Sequence, residues 1–536
     1  MPNTPTPHHA QVVIIGSGVA GALCAYRLAT KGIKVILLEA GPRVERGDII
    51  ENFRDTAEQN LTSGYPNPDY APRPEWVSNE DDFFSEVAPE KMRAEYLRVV
   101  GGTTWHWSGI TPRLIPSDFD MKTNYGVGEN WPIDYATLEP YYAQAEREMG
   151  VCGDDNAPTL SPRSTPYPLP PLPPAYSETM MQPFAEQAGL TFSATPAARN
   201  SRPFDERSEC QGFSTCSPIC PSAAQYAAIV HVRKAEEAGV QLFDKALVEQ
   251  LELDDKGKVR AAHFRRPDGT IESVTADIFV LSANCIESAR ILLMSAGEAA
   301  PAGIANSSRQ VGRNLFDHPG INSILLLEEP VFAGRGPYST RIAQNFRDGS
   351  FRNKQAAWSF HFHNHLDFQI AAEQELLTGI KPPKLDERFK WRMERTVSMS
   401  VTIEQRPVET NGISLDWSKR DRAGQPKINI QWQWDDYELA GVAHARTYMN
   451  KIAKAAGALE QSIKPIYGNQ HLMGMTRMGH DPKTSVADGE GRTHDHPNLF
   501  IVGGALFPTG GTANPTLTIA ALSLRCADSI EHQLNS

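Results

Sequence analysis

The sequence predicts an α/β chain, α+β taken as a whole. A domain built on a parallel sheet is interrupted by an inserted domain with an antiparallel sheet. Three observations carry this. Residues 11–41 read as strand, tight turn, helix, strand, and the strand segments 12–15 and 35–38 are continuously apolar, as strands buried on both faces are. The same strand-then-helix pattern returns at 277–295 and, through a Gly-rich loop, at 499–530. Between them, residues 323–465 are rich in aromatics and hold alternating runs such as 396–402 and 427–434, the period of half-buried strands.

The elements follow in order. Residues 92–109 read as a strand running into a Gly-Gly turn, and 131–149 as a helix with Pro132 near its start. Residues 160–176 hold seven prolines and predict an extended segment crossing the surface. The boundaries drawn are 8–322 with 466–536 for the discontinuous first domain and 323–465 for the inserted one, with contributions from 45–95. The charged run 419–422 predicts a solvated turn.

The chain has 536 residues, a net charge of −12 and 22% charged residues, ordinary for a globular protein with more than one core. That charge argues against a nucleic-acid partner, which calls for a basic stripe. No apolar run approaches the roughly 20 residues of a membrane helix. The polar start, with Pro2, Pro5 and Pro7, has neither the basic nor the apolar region of a signal peptide. Seven cysteines, an odd number, do not suggest a disulfide framework.

The first turn carries Gly16, Gly18 and Gly21 between an apolar strand and a helix, and the second strand ends at Glu39. In that context the glycines form a dinucleotide-binding fingerprint, and the domain is Rossmann-like. Gly16 permits the turn, Gly18 the approach of a pyrophosphate to the helix N-terminus, and Gly21 the close packing of helix on strand. Glu39 is placed to bind ribose hydroxyls and reject a 2′-phosphate. The matching Gly-rich element at 501–512, followed by a helix, suits a long dinucleotide running through the domain, with that helix aimed at the far ring system. Thr516, at the start of the helix, belongs to the same site.

Cys210, Cys216 and Cys220 lie in a loop, 208–222, spaced C-x5-C-x3-C and followed by Pro221. Zinc is a poor fit, because no CxxC knuckle or fourth ligand stands nearby. Three thiolates suit a three-iron cluster, or a four-iron cluster with an outside ligand; structural cysteines are the alternative. The alternating His361, His363 and His365 predict a polar face of one strand ahead of a metal site.

Several stretches together resemble the glucose–methanol–choline (GMC) oxidoreductase family, and within it the FAD and iron–sulfur subunits of bacterial sugar dehydrogenase complexes. These are VGGTTWHW at 100–107, NWPIDYATLEPYY at 130–142, VGRNLFDHP at 311–319, NQHLMG at 469–474 and GTANPTLTIAALSLR at 511–525. The resemblance covers nearly the whole chain and implies a GMC-type fold: an FAD-binding domain with an inserted antiparallel-sheet substrate domain. It implies His471 as catalytic base and Asn514 as its partner. Imidazole suits removal of a hydroxyl proton, and an amide can hold the same oxygen without competing for that proton. Gly101, Gly102 and Thr103 would pass under the flavin, and His106 stands where some members attach FAD covalently. Asn284 falls on the nucleotide-binding signature, with helix capping as its alternative role. Asp317–His318–Pro319 is assigned to turn structure.

The resemblance further implies a [3Fe-4S] cluster on Cys210, Cys216 and Cys220, although relatives often have Cys-Cys where Gln211 follows Cys210 here. The implied electron path runs from a sugar, glucose ahead of fructose, gluconate or glucosides, through FAD and cluster to a multihaem cytochrome c. A small accessory subunit would carry the export signal. The chain would then sit at the periplasmic face of the inner membrane, held there only through its partners. An oxygen-using alcohol oxidase and a relay subunit without a substrate are the other readings. The cluster argues against the first, and the His471/Asn514 pair against the second.

Overall fold

The computed structural model describes residues 8–57, 59–74, 82–87, 94–365, 368–381 and 384–536. Five parallel strands form the first sheet, in the order Gln241–Phe243, Val35–Leu38, His8–Ile15, Ile271–Leu281, Leu499–Ile501. This is the doubly wound order, in which the first strand lies at the centre and the chain turns outward in both directions. Alternate residues divide between two cores. Val12, Ile14, Val35 and Leu37 pack against the helices Val19–Ala29, Ile229–Glu237 and Thr516–Asn535. Val13, Ile15, Ile36 and Leu38 face the other way. An antiparallel meander covers that side, made of Leu247–Leu253, Val259–Arg265 and the first half of Ile271–Leu281. Cys24 and Cys526 are buried between the helices and serve only as packing.

Between Leu38 and Gln241 the chain makes a long excursion. Residues 94–98 are extended but join no sheet, and the Gly-Gly turn opens a 3-10 turn over Gly102–Trp105; the strand expected from 92 is absent over the described residues. The helix expected at 131–149 is Tyr135–Met149. Asp134 accepts a 2.8 Å bond from the Thr137 N–H and starts the helix there, so Trp131–Pro132 is run-in. Residues 161–175 hold no helix or strand apart from one bridge at Leu169. A helix at Tyr176–Gln187 follows, which sequence patterning does not suggest.

The second sheet is wholly antiparallel: Glu460–Ile463, Pro319–Leu326, Thr396–Ile403, Trp358–His363, Arg341–Phe346, Phe192–Ala194, with Tyr467–Gly468 beside the start of Pro319–Leu326. It therefore draws on residues outside 323–465. Its strands alternate cleanly. Trp358, Phe360, Phe362, Val397, Met399, Val401 and Ile403 pack beneath the helices Asp436–Ala455 and Tyr176–Gln187. The opposite face carries paired polar residues, Ser359 with Thr402, His361 with Ser400 and His363 with Ser398, and Asn322 stands opposite Ser400 on the next strand.

A three-stranded sheet, Gly412–Arg420, Pro426–Gln431 and Phe84–Val87, joins the two domains. The charged turn at 419–422 is not wholly solvated: Asp421 is buried and pairs with the buried Arg290 at 2.7 Å. No helix among the described residues is long and apolar enough to cross a membrane.

Candidate active site

The first turn is built around its glycines. Gly16 has φ +104°, and a Cβ there would meet the Ser282 carbonyl oxygen at 2.7 Å. A Cβ on Gly21 would lie 1.9 Å from the Gly16 carbonyl oxygen, so helix and strand approach as closely as they do only because it is glycine. Gly18 differs: a Cβ there would meet nothing within 4 Å. It looks out on a cleft of about 660 Å³, counted to its open mouth, lined by Gly16, Gly18, Glu39, Gly102, Thr103 and Asn284 among others. The free N–H groups of the helix at Val19 face a space of the size and shape a dinucleotide needs.

Glu39 is buried at the end of its strand. Its carboxylate accepts the Ser17 N–H (3.0 Å), the Ser17 hydroxyl (2.7 Å) and the Gly41 N–H (2.9 Å). Burial nevertheless raises its pKa above the ordinary carboxylate value. A carboxylate offers about four acceptor sites, so capacity remains for a ribose hydroxyl. Asn284 stands at the cleft and at a helix start. It lines the cleft, and at φ +53° its side-chain oxygen caps the helix Asn284–Met294, accepting from Ile286 N–H (2.8 Å) and Glu287 N–H (3.1 Å). Gly101 donates its N–H to the Ser17 hydroxyl oxygen at 3.1 Å, tying the second turn to the first. A Cβ on Gly102 would stand 2.9 Å from the Gly18 Cα. Thr103 is exposed into the cleft, and Thr516 is half-buried at the head of the last helix.

The second constellation lies where the two domains meet. The Asn514 amide nitrogen faces His471 Nε2 at 3.1 Å, so the pair expected from sequence is in hydrogen-bond contact. The other ring nitrogen of His471 lies 2.9 Å from His318 Nδ1. Asp317, next in the chain, accepts the backbone N–H groups of His471 (2.6 Å), His318 (2.6 Å) and Gln470 (2.9 Å). Assigning Asp317–His318–Pro319 to turn structure and packing therefore missed the direct contact of His318 with His471. Burial, with His318 and His361 nearby, pushes the His471 pKa well below its ordinary value; burial drives His318 and His361 down to about 4 each. All three rings are neutral at neutral pH. Burial lifts Asp317 to about 7, against the N–H groups that hold it down. His361 projects from the polar sheet face, and its Nδ1 is buried with no partner among the described residues.

Comparison with known proteins places this geometry. A GMC oxidoreductase family model matches residues 407–523, and an FAD dependent oxidoreductase model matches residues 11–50. The fructose dehydrogenase large subunit of Gluconobacter japonicus is 38% identical over 535 residues, covering 98% of each chain. The chain is a GMC oxidoreductase. The gluconate 2-dehydrogenase flavoprotein of Pantoea cypripedii is 24% identical, over 97% of this chain and 93% of its own. Among solved structures a formate oxidase has the same fold, with a TM-score of 0.68 at 15% identity over 99% of both chains. As a GMC oxidoreductase the protein binds FAD, and the glycine-lined cleft fits that cofactor because it lacks side chains where the nucleotide must approach the backbone.

In this GMC oxidoreductase the loop 208–222 is bonded on one side to the segment around His106 and on the other to residues just beyond the strand Trp358–His363 and in the loop before Arg341–Phe346. The Ser217 hydroxyl donates to the His106 carbonyl, and Tyr65 to the Pro218 carbonyl at 2.6 Å. On the other side Ser214 donates to the Asn364 carbonyl, and Gly336 N–H to the Gly212 carbonyl at 3.0 Å. Cys216 and Cys220 are buried and Cys210 is half-buried. Burial raises the Cys216 thiol to about 11, while Arg199 pulls it down and the other two cysteines push it up. The buried Arg199 feels all three. Among the described residues, no group of three or more His, Cys, Asp or Glu side chains has the disposition of a metal site, and this includes the histidines of 361–365.

His106 is buried. Its Nδ1 lies 3.2 Å from the Leu61 carbonyl oxygen, and Nε2 has no partner among the described residues. Burial takes its pKa down to about 4.

Proposed function

We propose that this chain is the catalytic subunit of a sugar dehydrogenase complex, oxidising a ring hydroxyl of a free sugar. The observation that carries the reading is the His471–Asn514 pair beside a sheet face of Ser, Thr, His and Asn side chains. Such a face matches a polyhydroxylated substrate: Ser400 is bonded to His363 and Asn322 to Tyr467, while the buried Ser359 hydroxyl and His361 Nδ1 have no partner among the described residues and gain one when a sugar hydroxyl arrives. FAD, when bound, supplies the hydride acceptor. His471 takes the hydroxyl proton on Nε2. The Asn514 N–H that donates to Nε2 in the structure would turn to the same substrate oxygen as it arrives, freeing the Nε2 lone pair for the proton. His361, through its free Nδ1, binds a second hydroxyl and orients the sugar.

Similarity to the fructose dehydrogenase large subunit brings D-fructose ahead of D-glucose as the first substrate to try. Cys210, Cys216 and Cys220 would hold a [3Fe-4S] cluster. What supports this is the spacing of three thiols on one loop with the cation of Arg199 nearby; their side chains are not gathered as a metal site in the structure, and binding would have to draw them together. FAD attachment through His106 and work at the periplasmic face, after export with a small partner subunit, belong to the same proposal.

The test is turnover by the FAD-loaded protein with D-fructose, D-glucose, D-gluconate and a simple secondary alcohol, using an artificial electron acceptor. The reading expects sugar-dependent reduction of the acceptor, little oxygen consumption and loss of activity in His471→Ala. Turnover of the simple alcohol alone would overturn it.

A further inference from the structure

We propose that Asp317 and His318 together orient the base: His318 fixes the working tautomer of His471, and Asp317 fixes the turn that carries it. The inference rests on reading His471 as the base. Imidazole has two nitrogens, and only one can carry the hydrogen in the neutral ring. With the Asn514 amide nitrogen donating to Nε2, that nitrogen bears the lone pair and the hydrogen sits on Nδ1. The atom 2.9 Å from Nδ1 is His318 Nδ1. The two rings are 5.0 Å apart at 81°, an edge-on arrangement in which the lone pair of one faces the N–H of the other.

His318 is completely buried, so no water competes for this bond, and its own Nε2 has no hydrogen-bond partner among the described residues, which leaves the His471 contact as its one ring hydrogen bond there. The opposite tautomer would put the hydrogen of His471 on Nε2, facing the Asn514 donor and unable to accept a proton. Gln470, just before the base, is held at φ +62° while Asp317 takes the N–H groups on both sides of that peptide. Strand and base are thereby locked together across the sequence.

When the proton is taken, the substrate O–H bond breaks and an Nε2–H bond forms; FAD, when bound, would accept the hydride from the carbon that bears this oxygen. The His471 ring becomes a cation, and its Nδ1–H bond to His318 becomes charge-assisted and stronger. The contact gains most in the transition state, which makes His318 a positioning residue that acts on kcat.

The experiment compares His318→Leu and His318→Asn with the wild type, all FAD-loaded, with D-fructose as substrate. The Asn side-chain oxygen can stand in for the ring acceptor; Leu cannot. The Leu variant is expected to lose about 100-fold in kcat with little change in KM, and the Asn variant to stay within about 10-fold of wild type. A second readout needs no turnover. In protein labelled with 15N-histidine, the exchange-protected Nδ1–H resonance of His471, assigned by its loss in His471→Ala, persists in the Asn variant and disappears in the Leu variant. A Leu variant that keeps both kcat and the resonance overturns the proposal, as does an Asn variant that falls as far as Leu. If the wild type turns over no sugar while the resonances behave as stated, the substrate reading fails and the orienting role stands.

Discussion

At the residue scale the site turns on one neutral imidazole. Burial disfavours the imidazolium form of His471, so the competent base persists to lower pH than it would in water. The acid limb of kcat/KM is therefore expected below pH 6.5, the ordinary histidine value; a limb at or above 6.5 would contradict this environment. Replacing His471 by Ala should lower kcat by about 10²- to 10⁴-fold, the usual worth of a positioned base, while absorbance spectra show FAD still bound. The contact between His471 and Asn514 was legible in the sequence because each lies in a distinctive local stretch. The part of His318 was not. Its partner is 153 residues away, and only the fold brings the two rings within 2.9 Å. Glu39 was legible in position but not in detail, since Ser17 and Gly41 already occupy three of its acceptor sites.

At the scale of elements, the strand–turn–helix unit separates two uses of glycine. A Cβ on Gly21 collides with backbone inside the unit, whereas a Cβ on Gly18 enters only the open cleft. Gly21→Ala should destabilise the fold by about 1–3 kcal/mol, the cost of overpacking, and lower the thermal midpoint even without FAD. Gly18→Ala should leave the apoprotein midpoint unchanged and weaken FAD binding, as measured by titration; equal effects of the two variants on the apoprotein would refute the distinction. The alternation in 396–402 and of His361, His363 and His365 predicted strands whose faces differ, and the sheet realises it over Thr396–Ile403 and Trp358–His363 with apolar side chains under the long helix and His, Ser and Thr on the other side. The helix Tyr176–Gln187 and the strand Phe192–Ala194 were not legible as parts of this sheet. The strand takes its place by pairing with Arg341–Phe346, far along the chain, and the helix by packing in the core over the sheet with Asp436–Ala455.

At the scale of the whole molecule, His471 lies near His361 of the polar face of the second sheet, and the cysteine loop is bonded to segments of both domains. Hydrogen bonds at Ser217 and Ser214 tie that loop to both domains. Cys216→Ser is therefore expected to remove iron and acid-labile sulfide from anaerobically purified protein while FAD content stays intact; iron retained at wild-type level would refute a cluster on this loop. FAD binds the folded state only, so saturating it at about 100 times its dissociation constant should stabilise the protein by about 2.7 kcal/mol.

The most direct test of the account is an anaerobic titration of the FAD-loaded protein with D-fructose, followed at the flavin absorbance bands, with His471→Ala alongside. Bleaching of the wild type by the sugar, and its failure or steep slowing in the variant, is the predicted result. A flavin that no sugar bleaches, or one that bleaches equally fast without His471, would contradict it.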